Sequence, residues 1–141
     1  MDILEFPAHF PPTDKWKKFF IGVRWLGPDL SFFKTLKEFQ ANRTETDMSL
    51  WGSGERQILA GKISQILHEQ LGWGSAVFIP RDVARVAFHG PRFDFNDSDA
   101  AFDDIVEMLD RDYSLNPPSS FWESMRDAEL GQLVDGLLAL R

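Results

Sequence analysis

The chain has 141 residues, a mass of 16.2 kDa and a formal net charge of −7, with 43% apolar and 26% charged residues. That length and apolar share belong to one ordinary globular domain and argue against wholesale disorder. The acidic balance disfavours a nucleic-acid binder that works through bulk charge, and the absence of cysteine removes disulfides, thiolate nucleophiles and Cys-based zinc sites.

Residues 1–12, with Pro7, Pro11 and Pro12, read as an extended N-terminal arm. They lack the basic-then-apolar order of a signal peptide. Thr13 offers an N-cap, and Trp16, Phe19, Phe20 and Val23 follow at the spacing of one helix face, ending at Gly27-Pro28. A strand over 19–25 is the alternative, because Gly22 weakens a helix by roughly 1 kcal/mol relative to Ala. Asp29 caps a second helix to about Asn42, with Phe32, Phe33, Leu36 and Phe39 on its apolar face. Residues 43–53 are polar and read as a loop, with Leu50 and Trp51 docked on the core.

A long helix is predicted from Gly54 to Leu71, with Leu59, Ile63, Ile66, Leu67 and Leu71 on one face and Gly72 as its stop. Val77-Phe78-Ile79 is too short to classify by period. A short strand or hairpin near residues 76–88 and an extended core-filling segment both fit. Asp82 caps a short helix through Phe88, with Val83, Val86 and Ala87 inward. Residues 89–97 form a loop. Phe102, Ile105, Val106 and Leu109, then Tyr113, mark a helix over 98–112, broken at Asn116-Pro117-Pro118. Ser124-x-x-Asp127 resembles a capping box for a last helix carrying Leu130, Leu133, Val134, Leu137 and Leu138. The expected fold is mainly α: a single-domain helical bundle over 1–141. No run approaches 18 apolar residues, so no membrane span is expected, and a cytoplasmic location is the default.

The charge is unevenly spread. Residues 1–92 carry 12 basic and 10 acidic residues, a net +2, while residues 93–141 carry 3 basic and 12 acidic, a net −9. Asp99, Asp103 and Glu107 recur at i, i+4, i+8, with Asp110 close to the next turn. Like charges at this spacing cost an isolated helix a few tenths of a kcal/mol each. The stripe therefore reads either as a solvated face or as a surface for a basic partner, where complementary charge speeds encounter and rejects wrong partners.

Sharper chemistry finds little support. Asp94, Asn96 and Ser98 fall at calcium-loop positions 1, 3 and 5, but Asp99 and Ile105 occupy the places of the required Gly and Glu. His9, His68 and His89 are far apart in sequence, so no metal site is expected. No serine lies in a G-x-S-x-G elbow, and neither Gly52-Ser53-Gly54 nor Gly72-Trp73-Gly74 matches a phosphate-binding fingerprint. A non-enzyme without a cofactor is expected. Of the five tryptophans, Trp25, Trp51, Trp73 and Trp122 lie off the apolar stripes. Core packing is favoured for each, with an interface anchor as the alternative and Trp122 as the candidate beside the acids.

The order of elements from Ile58 to Leu138 resembles an acyl carrier protein. An amphipathic helix (58–71) leads through a long loop to Asp97-Ser98 at the start of an acidic helix, followed by a short element around 121–125 and a final helix. The resemblance implies Ser98 as a phosphopantetheine attachment site. The residue after Ser98 is Asp99, where the family has Leu or Ile, and residues 1–53 lie outside the resemblance. The functional expectation is a non-enzymatic binding protein of bacterial type. Asp99, Asp103, Glu107 and Asp110 would cover a basic surface on a protein partner, with Trp122 as anchor. Immunity or antitoxin-like proteins that occlude a toxin are one such class, and a carrier-like domain is the alternative.

Overall fold

A computed structural model describes residues 3–6, 32–91 and 97–141. The helix expected from Thr13 through Trp16, Phe19, Phe20 and Val23, as well as Trp25, the Asp29 cap, His9 and the Asp94/Asn96 loop, lie outside the described residues, as do the side chains of Ser98 and Asp99. The described chain is mainly helical, as expected: α1 (Phe32–Ala41), α2 (Glu45–Met48), a 3-10 turn (Ser49–Trp51), α3 (Glu55–Leu71), α4 (Ala84–His89), α5 (Asp97–Tyr113), α6 (Ser119–Ser124) and α7 (Leu130–Ala139).

The core forms where the apolar faces of α3, α5 and α7 meet, and α3 packs most extensively on α5. From α3 it receives Leu59, Ala60, Ile63, Leu67 and Leu71, all nearly inaccessible. Each such aliphatic side chain stabilises the fold by roughly 1.5–3 kcal/mol. Gly72 closes α3 in the left-handed conformation at φ 80°, the role its position suggested.

In α5 the buried face is Ala101, Ile105, Met108 and Leu109. It is turned away from Phe102 and Val106, which the spacing had grouped with the core and which are only half-buried. Ala101 and Met108 fit the close contact with α3, and Phe102 is left on the flank toward α6. At the end of α5, Ser114 N–H donates to the Asp110 carbonyl and Leu115 N–H to that of Leu109, both at 3.1 Å. The bond from Ser114 to Asp110 is that of an αL cap, and it puts Ser114, not a glycine, at φ 53°.

Residues 79–84 join four parts of the chain. Asp82 is fully buried and does not cap α4, whose N-cap is Val83. Its carboxylate accepts the backbone N–H of Leu4 at 2.8 Å and of Ile79 at 2.9 Å. It also takes a two-pronged bond from Arg43 at 2.6 and 2.8 Å. Val83 N–H donates to the Leu4 carbonyl, Ala84 N–H to Ala128, Leu130 N–H to Asp82, and Gly131 N–H to Pro80. An isolated antiparallel bridge pairs Val83 with Glu129. No strand forms over 76–88. Phe78 and Ile79 fill the core as an extended plug, held open on one side by buried Gln40, whose amide donates to the carbonyls of Ser75 and Val77.

Three further local expectations are corrected. Most of the segment read as a loop over 43–53 is helical, over 45–51: Thr44 N–H donates to the Asp47 carboxylate at 2.9 Å, which starts α2. Within that segment Trp51 is buried, but Leu50 is 47% exposed rather than docked. Ser124 does not cap the last helix. Its hydroxyl donates back to the Phe121 carbonyl at the end of α6, and α7 starts instead at Glu129, whose N–H donates to the Gln132 side chain.

Candidate functional site: the acidic face of α5

Core contacts on one side of α5 leave the other to solvent. Asp103, Glu107 and Asp110 are exposed and fall within about 60° of helix surface at 3.6 residues per turn. The backbone places Asp99 one turn before Asp103 and puts Ser98 in the first turn of the helix.

The carboxylates that turn toward α3 are used inside the molecule. Asp104 accepts from Gln70 at 2.5 Å, and Asp112 accepts from Lys62 at 3.1 Å and Arg111 at 3.0 Å. Hydrogen bonding by Arg111 first, and by Lys62 next, holds the Asp112 carboxyl below the ordinary carboxylate range. Asp112 correspondingly raises the Arg111 guanidinium, with a smaller contribution from Glu107. Lys62 also lies 5.0 Å from the centre of the Tyr113 ring. On the solvent face, Asp110 accepts from Asn116 at 3.0 Å. Asp103 and Glu107 make no hydrogen bond or salt bridge among the described residues.

An aromatic flank borders the acids. Phe102 meets Trp122 edge-on with ring centres 4.9 Å apart, and Trp122 meets Phe121 at 5.3 Å. All three are half-buried. Phe121 and Met125 abut Gly136 of α7, where a Cβ would come within 3.0 and 3.2 Å of them. The short α6 thereby touches α5 through Trp122 and α7 through Phe121, and Trp122 lies on the Phe102 side of α5. Sequence grouping of Phe102 with the core hid this flank, since Trp122 supplies its partner from 20 residues away.

The other candidates have structural partners. Trp51 and Trp73 are buried, and their indole N–H groups donate to the carbonyls of Phe78 at 2.6 Å and Ala87 at 2.9 Å. Neither is an exposed anchor. His68 Nδ1 lies 2.5 Å from the Trp73 carbonyl, which ties the end of α3 to the following turn. His89 stacks on Phe33 with ring centres 5.3 Å apart. Among the described residues, no group of three or more His, Asp or Glu is placed to hold a metal ion, and no helix is long and apolar enough to cross a membrane. Compared with known proteins, the chain matches no protein-family model, no curated protein and no solved structure.

Proposed function

We propose that the chain is a non-enzymatic binding protein whose α5 face docks a basic surface on a protein partner. The observation that carries this is the division of labour among the α5 carboxylates. Asp104 and Asp112 accept from Gln70 and Lys62 of α3, while Asp103 and Glu107 stand exposed without hydrogen bonds among the described residues, next to the Phe102–Trp122 pair. Exposed charge of one sign steers a partner of the other, and a neighbouring aromatic supplies the desolvated contact that slows dissociation. The mechanism is occlusion: the acidic stripe covers a basic groove, as an immunity or antitoxin-like protein would cover a toxin.

The test uses two baits, the wild-type chain and Asp103→Lys/Glu107→Lys, to capture proteins from the source cell. A protein retained only by the wild type is purified and its affinity for both chains measured at low and physiological salt. At least about tenfold weakening by the double reversal, with a salt-sensitive wild-type complex, supports docking through α5. Equal affinity removes the face from the mechanism.

A second proposal follows from where α5 begins. The helix starts at Asp97, so Ser98 sits in its first turn, where a carrier domain holds its attachment serine. Incubation with a phosphopantetheinyl transferase and coenzyme A would then add one discrete mass increment to the wild type and none to Ser98→Ala. No increment on the wild type rejects the carrier role.

A further inference from the structure

Residues 3–6 lie on the rest of the molecule as an extended segment whose side chains alternate. Leu4 is fully buried in the core and Glu5 is exposed. Phe6 meets Phe32, Phe33 and His89 edge-on at 5.9, 6.0 and 5.4 Å between ring centres, and the Arg85 guanidinium lies 5.6 Å from its own. The main chain is held at Leu4, whose N–H donates to Asp82 Oδ1 and whose carbonyl accepts from Val83 N–H, both at 2.8 Å. An added extended peptide docks in this manner, with backbone bonds for affinity and alternate side chains in pockets for specificity.

The receiving side is tied together without the segment. Residues 80–84 are bonded to 128–131 through Ala84 to Ala128, Leu130 to Asp82 and Gly131 to Pro80, and by the Val83–Glu129 bridge. Apart from Leu4, the Asp82 carboxylate still accepts from Ile79 and from both arms of the Arg43 fork. The place of Leu4 is therefore an apolar recess with a preset donor, Val83 N–H, and a preset acceptor, Asp82 Oδ1.

We propose that residues 3–6 are a displaceable strap over a peptide site, and that an extended segment of a partner protein takes the places of Leu4 and Phe6 with a leucine and, two residues on, an aromatic. The segment already seated there defines this occupant. A charged side chain does not enter the recess of Leu4, and an aromatic two residues on meets Phe33 and the Arg85 guanidinium. Because the strap is tethered to its own recess, it competes at an effective concentration of order millimolar. The recess shares no residue with the α5 face, so the two readings can fail separately.

The experiment uses the isotope-labelled full chain, as wild type and as Leu4→Glu, which expels the strap. Each is titrated with a capped peptide of the sequence of residues 2–7, and with the same peptide carrying aspartate for leucine as control. The Val83 amide reports occupancy, since it donates to the seated segment. Leu4→Glu is expected to shift this amide, and the peptide to return it to its wild-type position with a Kd at least about tenfold below that for the wild type. Should Leu4→Glu unfold, the peptide is expected to restore the folded spectrum in proportion to its occupancy. A Val83 amide unmoved by Leu4→Glu, no binding to the folded variant, or no restoration of an unfolded one would overturn the proposal. Equal affinity of the peptide for both chains, or equal binding of the aspartate control, would do the same. A wild-type dimer that Leu4→Glu abolishes would overturn it in favour of strap exchange between copies.

Discussion

Replacing Asp82 by alanine is expected to be among the most damaging single changes in the molecule. The carboxylate is fully buried and receives four donors: two backbone N–H groups, from Leu4 and Ile79, and both arms of the Arg43 fork. Its removal takes the carboxylate from a guanidinium whose side chain is only 6% exposed, and from two N–H groups. Breaking one side of a buried, hydrogen-bonded ion pair costs about 3–5 kcal/mol, against a typical domain stability of roughly 5–15 kcal/mol. Urea unfolding followed by tryptophan fluorescence reads the loss, since Trp51 and Trp73 are both buried. With a slope of about 2 kcal/mol per molar, the midpoint should fall by about 2 M. Much of the penalty is the buried cation's loss of its Asp82 counter-charge, so adding Arg43→Met to Asp82→Ala should recover about 1 kcal/mol or more, even though Arg43 also donates to the Val77 carbonyl and lies 5.8 Å from the centre of the Phe39 ring. A loss below about 1 kcal/mol in the single variant, or no recovery in the double, would refute the view that this pair joins the N-terminal segment to the helices.

Three smaller perturbations follow from local geometry. Ser114→Gly should stabilise the chain by about 0.5–1 kcal/mol in the same urea assay, because residue 114 holds φ 53° at the end of α5 and glycine bears no Cβ penalty there. Gly74→Ala should destabilise by about 1–3 kcal/mol, because the added Cβ would collide with the Cβ of Ala41. For Asp112, the folded pKa lies below its ordinary value, so its contribution to stability is present above the unfolded pKa and is lost as pH falls through the folded one. The stability difference between wild type and Asp112→Asn should therefore be constant near neutrality and vanish on acidification below the carboxylate range. A difference that grows toward low pH would contradict that sign.

The long helices were legible because their apolar residues recur with the helical period. Leu59, Ile63, Leu67 and Leu71 describe α3, and Gly72 marks its end, with no knowledge of what α3 touches. The period left a wider uncertainty about rotation. Phe102 and Ala101 are adjacent in sequence, and only the packing of α5 on its neighbours selects Ala101 for the core. The starts of the short elements were misread, or the element missed over 45–51, because their determinants are distant or compete with local signals. Asp82 looked like a helix cap because its true partner, Arg43, lies 39 residues earlier. Ser124-x-x-Asp127 had the local pattern of a helix start, but the bonds of Leu130 and Gly131 to the 80–82 loop accompany a start at Glu129 instead. Trp51 and Trp73 fell off every stripe because each sits in a connection and is drawn inward by an indole hydrogen bond to a buried carbonyl. Within the candidate site, the acidic stripe could be read from spacing alone. Its aromatic flank required the packing of α6 against α5.

The central claim, that the exposed carboxylates of α5 form a docking face, is tested most directly by the affinity of the captured partner for wild type and for Asp103→Lys/Glu107→Lys. Salt is varied in parallel. The expected outcome is a wild-type complex that weakens with salt and is at least about tenfold tighter than that of the reversed chain, the gap narrowing as salt screens the exposed charges. Equal affinities at every salt concentration would contradict it, and would leave the acidity of α5 as a solvated surface.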